Sequence, residues 1–375
     1  MPARRPGMHV SDTDRHAQPS EAIRIYRGPS DRVHRLANAL LEAPAVSVVT
    51  QRSADVRALA IQLFDEGMSA VHLTRIVAEL NDLVTRRLLS LIAVEHKVQH
   101  LRWCWMALGS EGRLEQTIHT DQDNAIIFHD AHAEEAHARL LPFARAVNQA
   151  LARAGFRLCP GDIMAGNPRW CLSDTAWQRR FAEWVDTGDP EALLHGAIFF
   201  DFRGLYGDLS LVESLREWLS GYIADRPLFL RQMSENAMRT RPPLGLFGAL
   251  SPLSRPFPKR RTIDIKLRGV SPFSDAARIL ALSRGLRATN SSDRLLHWAR
   301  TPSEKRQAES WTRALAALQT YRLQRQMACA KQGLPMDNAI DTHQLSHFDR
   351  AVMRAALVEA RETQRHLSIS YQLTP

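Results

Sequence analysis

The chain has 375 residues, enough for about two to three domains at roughly 150 residues each and for a full hydrophobic core. Apolar residues make up 45% and charged residues 24%, which excludes a largely disordered chain or a coiled rod, and no apolar run approaches the ~20 residues of a membrane helix. The 49 Lys and Arg against 40 Asp and Glu give a formal charge of +9, which favours anionic partners: nucleotides, nucleic acid or an acidic protein surface.

Residues 1 to about 30 mix Pro, Arg, Ser, Asp and His without helical or strand period and read as a mobile tail. Arg4 and Arg5 are followed by no apolar segment, so no secretory leader is expected and the protein is expected in the cytoplasm. From Ser53 the pattern turns helical. Leu73, Val77, Leu80, Val84, Leu88 and Leu91 recur at steps of three and four, predicting a long amphipathic helix that ends near His96. Alternation over 101–108, broken at Gly109, predicts a strand running into a turn. The runs DNAIIF (123–128) and AIFFDF (197–202) read as strands buried on both faces. Helices are expected over 133–154, closed by Gly155, and over 177–184, stopped before Gly188 and Pro190.

Beyond Leu209 the pattern is helical over 211–223 and 226–239, and a proline-rich connector occupies 241–258. Periodic stretches over 276–283, 309–332 and 345–364 predict a helical bundle. The fold class expected is therefore α+β and mostly α overall: a small mixed β-sheet between an N-terminal helical segment and a C-terminal helical bundle. The expected division is a tail over 1–30, helices over 31–100, the sheet domain over 101–210, helices and connector over 211–258, and a helical module over 259–375. Cys104, Cys159, Cys171 and Cys329 match no zinc or CxxC spacing and read as idle thiols in a reducing compartment.

The most informative stretch is LGSEGRLEQTIHTDQDNAIIF, residues 108–128. A strand enters Gly109-Ser110, a polar turn follows, and Asp121-x-Asp123 leads into an apolar strand. Residues two apart on a strand share a face, so Asp121 and Asp123 set two carboxylates about 7 Å apart along the chain. Such a pair is costly alone and natural around divalent cations. Gly109 lets the backbone approach a phosphate, whose oxygens the Ser110 hydroxyl can hold.

This arrangement resembles the polymerase β-like nucleotidyltransferase superfamily. The longer string GSEGRxEQTxxTDQDNA resembles, more narrowly, the DUF294-type nucleotidyltransferase family related to the uridylyltransferase of the nitrogen-regulatory PII protein. Further matches are CPGDIMAGNP (159–168) with Trp170, FFDFRGLYGD (199–208), and IDIKLRGVSPFSDAARILAL (263–282), the last resembling the family's C-terminal helical substrate-binding domain. The resemblance covers about residues 60 to 375 and makes 101–210 the nucleotidyltransferase domain. It implies that Asp121, Asp123 and Asp201 hold two catalytic metals, Mg²⁺ or Mn²⁺, and that Gly109, Ser110, Arg113 and Lys266 hold a nucleoside triphosphate. Arg203 stands on the face of Asp201 as an alternative partner. The family's usual sensor domains precede the helical segment. Only about 50 residues stand there in this chain, so a catalytic core controlled by a separate partner is expected.

The activity implied is transfer of UMP or AMP from an NTP to an acceptor hydroxyl, by family analogy on a regulatory protein of PII type. Two other readings stay open: a non-catalytic nucleotide-binding regulatory module, and nucleotide transfer to RNA or a small molecule. An RNP-like aromatic motif is missing and the basic residues are scattered, which argues against nucleic acid. His129, His132 and His137 read as a solvated surface rather than a metal site. Lys259, Arg260, Arg261, Lys266 and Arg268 form the densest basic cluster, either a solvated face or a phosphate or partner contact. P-loop, serine-hydrolase and zincin motifs are absent.

Overall fold

The computed structural model describes residues 30–245 and 262–373. The expected tail, most of the proline-rich connector, and Lys259, Arg260 and Arg261 lie outside the described residues. The fold is α+β and mostly helical, with thirteen α-helices and six short strands among the described residues.

The centre is a four-stranded sheet in the order β3-β2-β1-β4. Strand β1 (Trp103–Ala107) pairs antiparallel with β2 (Asn124–Phe128), Trp103 opposite Phe128 and Ala107 opposite Asn124. Strand β4 (Arg203–Gly207) pairs antiparallel with the other edge of β1, and β3 (Cys171–Ser173) runs parallel to β2. Every residue of β1 and β2 is buried, because the period of two sends their side chains into two cores. Cys104, Met106, Ala125 and Ile127 enter one; Trp103, Trp105, Ile126 and Phe128 enter the other.

The second core is covered by helices α1 (Ser30–Leu41), α2 (Val46–Asp65), α3 (Ala70–Glu95) and α5 (Ala133–Arg153). Helix α3 is the expected amphipathic helix. Ser69 caps its start, accepting from the His72 backbone N–H, and Gly67, at φ +88, separates it from α2. Leu73, Val77, Leu80, Val84 and Leu88 are all buried.

The first core lies under α6 (Asp174–Thr187), α7 (Pro190–Phe199) and α8 (Leu209–Ala224), with Phe199 ringed by Trp177 at 5.6 Å and Trp184 at 5.0 Å. It continues without interruption into the C-terminal helices α9 (Pro227–Ala237), α10 (Ser271–Ser283), α11 (Ser291–Trp298), α12 (Pro302–Lys331) and α13 (His347–Ser370) through Phe273, Trp298 and Trp311. A separate antiparallel pair joins β5 (Thr262–Asp264), before α10, to β6 (Ala339–Asp341), between α12 and α13; one π-helical turn, Lys266–Val270, follows β5.

One expected strand is a helix. The run 197–202 completes α7 and the turn after it, and the strand begins only at Arg203. Asp189 starts the helix by accepting from the Ala192 N–H at 2.8 Å, with Pro190 at its first position, a combination suited to a helix N-terminus. Phe199 and Phe200 are buried while Ala197 and Ile198 are half-buried, and a run this short and uniformly apolar has no period that separates helix from strand.

Candidate active site

The Gly-Ser turn is built where β1 ends. Gly109 takes φ +51, and a Cβ there would stand 3.1 Å from Asp123 Oδ2, so the position demands glycine both for conformation and for space. The Leu108 N–H donates to the Asp123 carbonyl at 2.9 Å, which lays the turn and its short helix α4 (Gly109–Gly112) against the Asp-x-Asp segment.

Asp121 and Asp123 lie just before β2 and face the same side, while Gln122 between them turns inward at 1% exposure. The Gln122 amide donates to the carbonyls of Asn148 and Phe156, each at 3.1 Å. Asn124 Oδ1 accepts from Asn148 Nδ2 and the Ala165 N–H, both at 2.9 Å, which pins the CPGDIMAGNP loop beside the pair. Asp121 is held by Arg157 at 2.7 Å. Burial pushes the Asp123 pKa up and the Asp121 charge adds to it; a hydrogen bond from the Cys159 thiol and the charges of Lys266 and Arg113 offset only part.

These carboxylates open into a small polar cleft with Ser110, Lys266, Arg322 and Asn338 on its walls. Ser110, Asp121 and Asp123 come from the sheet domain, whereas Lys266, Arg322 and Asn338 come from the C-terminal module. Two carboxylates suit a hard divalent cation, and the raised Asp123 pKa marks a buried anion that the protein leaves under-compensated. Among the described residues no three His, Cys, Asp or Glu side chains converge to hold a metal ion. The donor set thus fits a Mg²⁺-like ion held by two carboxylates, with water and substrate phosphate as the remaining ligands.

Two residues implied in this site have other surroundings. Asp201 is fully buried and lies in the turn after α7. Its Oδ1 and Oδ2 accept from Arg278 at 3.0 and 2.7 Å, Oδ2 from Arg113 at 2.6 Å, and Oδ1 also from Arg294. Burial alone would raise its pKa; Arg278, Arg294 and Arg113 reverse this and hold it far below the usual carboxylate range. Asp201, expected as the third metal ligand, thus has both carboxylate oxygens engaged by three guanidiniums. Arg113, expected on the triphosphate, is spent on Asp201 and on Glu115 at 2.8 Å. Arg203 does not pair with Asp201 but bidentately with Asp82 on α3, at 2.9 Å twice.

This cluster also fastens the Gly-Ser turn to the C-terminal module. Asn290 Nδ2 donates to the Arg113 carbonyl at 3.1 Å and the Ser291 N–H donates to Glu115 Oε1 at 2.7 Å. Gly112 has no room for a side chain, since a Cβ would fall 1.8 Å from the Asp201 carbonyl oxygen. The participants missed in the sequence are Arg278, Arg294, Arg322 and Asn338; Arg278 stands inside the 263–282 stretch, where the resemblance gives it no role, and the other three lie far along the chain outside any local motif.

Glu111, beside the turn, is buried and its pKa is pushed up to about 8, first by burial and then by Asp82, with Arg203 opposing and Asp123 adding. A raised acid binds its proton more tightly in the folded state, so its folding stability falls as pH rises from about 4.3, the unfolded value, through about 8. Glu111→Gln is expected to melt higher than wild type at pH 8 and above, the gap closing toward pH 4; melting curves across that range check it. A gap independent of pH would remove Glu111 as its cause.

A Gly-Ser turn and an Asp-x-Asp pair at one end of a small mixed sheet, closed by a helical module carrying cations, define the chain as a nucleotidyltransferase-type protein. Residues 54–191 match the family model described as "Putative nucleotidyltransferase DUF294" and residues 227–371 match "Putative nucleotidyltransferase substrate binding domain". The two cover most of the chain, which belongs to this nucleotidyltransferase family. No curated protein matches it. Asp201 falls between the two matched segments.

Proposed function

We propose that the chain is a metal-dependent nucleotidyltransferase that moves a nucleoside monophosphate, UMP or AMP, from an NTP to an acceptor hydroxyl. The new bond joins the acceptor oxygen to the α-phosphorus; the bond from that phosphorus to the bridging oxygen breaks, and pyrophosphate leaves with the electron pair. Asp121 and Asp123 would hold the divalent cation, which supplies Lewis-acid stabilisation of the phosphoryl charge. Ser110 offers a hydroxyl donor and Lys266 an ammonium to phosphate oxygens on the wall of the same cleft. The chain's own work is to bind, orient and screen charge. The observation that carries this reading is the meeting of Ser110, Asp121, Asp123 and Lys266 in one cleft.

The acceptor we propose is a hydroxyl side chain of a regulatory protein of PII type. The domain division at about 101–210 and 259–375 goes with it, the second part recognising the acceptor. A non-catalytic nucleotide-binding module is the second reading, and the observation in its favour is the engagement of Asp201 by three arginines away from the Asp121–Asp123 pair.

The decisive experiment incubates the protein with each α-labelled NTP and Mg²⁺ in cell lysate. Label should appear on a macromolecule and be lost to protease but not to ribonuclease. Ribonuclease-sensitive label would overturn the protein acceptor, and Mg²⁺-dependent binding without any label would establish the second reading.

A further inference from the structure

We propose that Arg322, on α12 of the C-terminal module, is a polyphosphate-binding residue of this cleft, so that a nucleotide's phosphate chain bridges the two modules. The inference deepens the nucleotidyltransferase reading and rests on it for the identity of the ligand.

Arg322 is 6% exposed. Arg278 and Arg294, the other arginines buried this deeply among the described residues, both pair with Asp201. Arg322 has no carboxylate partner among the described residues. Its Nε donates to Asn338 Oδ1 at 3.0 Å, and Gln326 Nε2 donates to the same oxygen at 3.0 Å. That fixes the guanidinium plane at the wall of the cleft and leaves its terminal nitrogens without a hydrogen-bond acceptor among the described residues. Burial, followed by the charge of Arg113, pushes its pKa down to about 10, with the more distant charges of Glu115, Asp264 and Asp121 opposing, so it is still protonated at neutral pH. A buried, oriented and unpaired cation is costly to keep, and a guanidinium is suited to planar two-point recognition of phosphate.

The charges around it agree. Lys266 and Arg322 line the same cleft as Asp121 and Asp123, and Arg157 pairs with Asp121 at its rim at 2.7 Å, so these five groups carry a net excess of one positive charge before any divalent cation is added. The carboxylates stand on the sheet domain, and the two cations not engaged by a carboxylate ion pair, Lys266 and Arg322, stand on the C-terminal module. A polyphosphate held by Lys266 and Arg322 would meet the sheet domain at the Ser110 hydroxyl and through the divalent cation that Asp121 and Asp123 would hold.

The test uses inorganic tripolyphosphate with Mg²⁺ as the probe, titrated calorimetrically into the full chain. Arg322→Gln should weaken binding about tenfold or more, the loss of a charge-assisted contact, and Arg322→Lys should fall between. The ligand-free Arg322→Gln protein should melt no lower than wild type, because a buried unpaired charge has been removed. Unchanged affinity in Arg322→Gln, or failure of the wild type to bind tripolyphosphate, overturns the inference. So does a lower melt in Arg322→Gln together with full affinity in Arg322→Lys, which would make Arg322 structural. Tripolyphosphate binding lost in Arg322→Gln while no NTP labels any acceptor leaves this inference standing and defeats the transfer reading. Label transfer by Arg322→Gln with the wild-type KM for NTP defeats this inference alone.

Discussion

Asp201→Ala is expected to be among the most destabilising single changes in the protein, lowering the free energy of unfolding by about 3–5 kcal/mol or preventing folding, because it strands buried guanidiniums without their counter-ion. Arg278 and Arg294 are 3% and 2% exposed, and both use Asp201. Urea unfolding of wild type, Asp201→Ala and Asp201→Asn measures it. The pH dependence has a definite sign. The folded-state pKa of Asp201 is lowered, so its stabilisation is fully present above the unfolded value of about 3.9 and is lost as pH falls through the folded one. Wild type should lose stability on acidification in this window, and Asp201→Asn should lack that component. A variant at Asp201 that keeps wild-type stability but loses metal-dependent activity would restore Asp201 to the metal site.

Asp123→Asn should behave in the opposite way. The Asp123 pKa is raised, chiefly by burial, so the wild-type carboxylate stabilises the metal-free fold only below its unfolded pKa, and that contribution is lost as pH rises through the folded one. Metal-free Asp123→Asn is therefore expected to melt as high as wild type or higher at neutral pH, while its nucleotide transfer falls at least about a thousandfold, roughly 4 kcal/mol of transition-state stabilisation. Melting in EDTA and single-turnover transfer in Mg²⁺ separate the two effects. Equal turnover in Asp123→Asn would sink the assignment of the pair to a metal. Together the two variants distinguish a carboxylate that holds the fold from one that serves the chemistry, though both come from motifs of the same family resemblance.

The local grammar of the chain was sufficient for much of this. The steps of three and four from Leu73 to Leu88 determine α3 because one face of an isolated helix must be covered. The alternation over 101–108 and the short apolar run DNAIIF over 123–128 point to two strands, and Gly109-Ser110 with Asp121-x-Asp123 locates the turn and the carboxylate pair, since all their geometry is set within a few residues. The family followed from the same strings.

Three things were decided only by tertiary structure. The run AIFF completes and caps a helix because Asp189 and Pro190 begin one and the aromatic core accepts Phe199 and Phe200; a short, uniformly apolar run carries no periodic signal of its own. The partner of Asp201 could not be read from its neighbour Arg203, because Asp82 on α3 takes Arg203, while Arg278 and Arg294 arrive from 77 and 93 residues away. Arg322 and Asn338 reach the cleft only because α12 and the segment before β6 fold back over the sheet domain. A charge chooses its partner by distance and desolvation in three dimensions, and both are properties of the packed chain rather than of residue spacing.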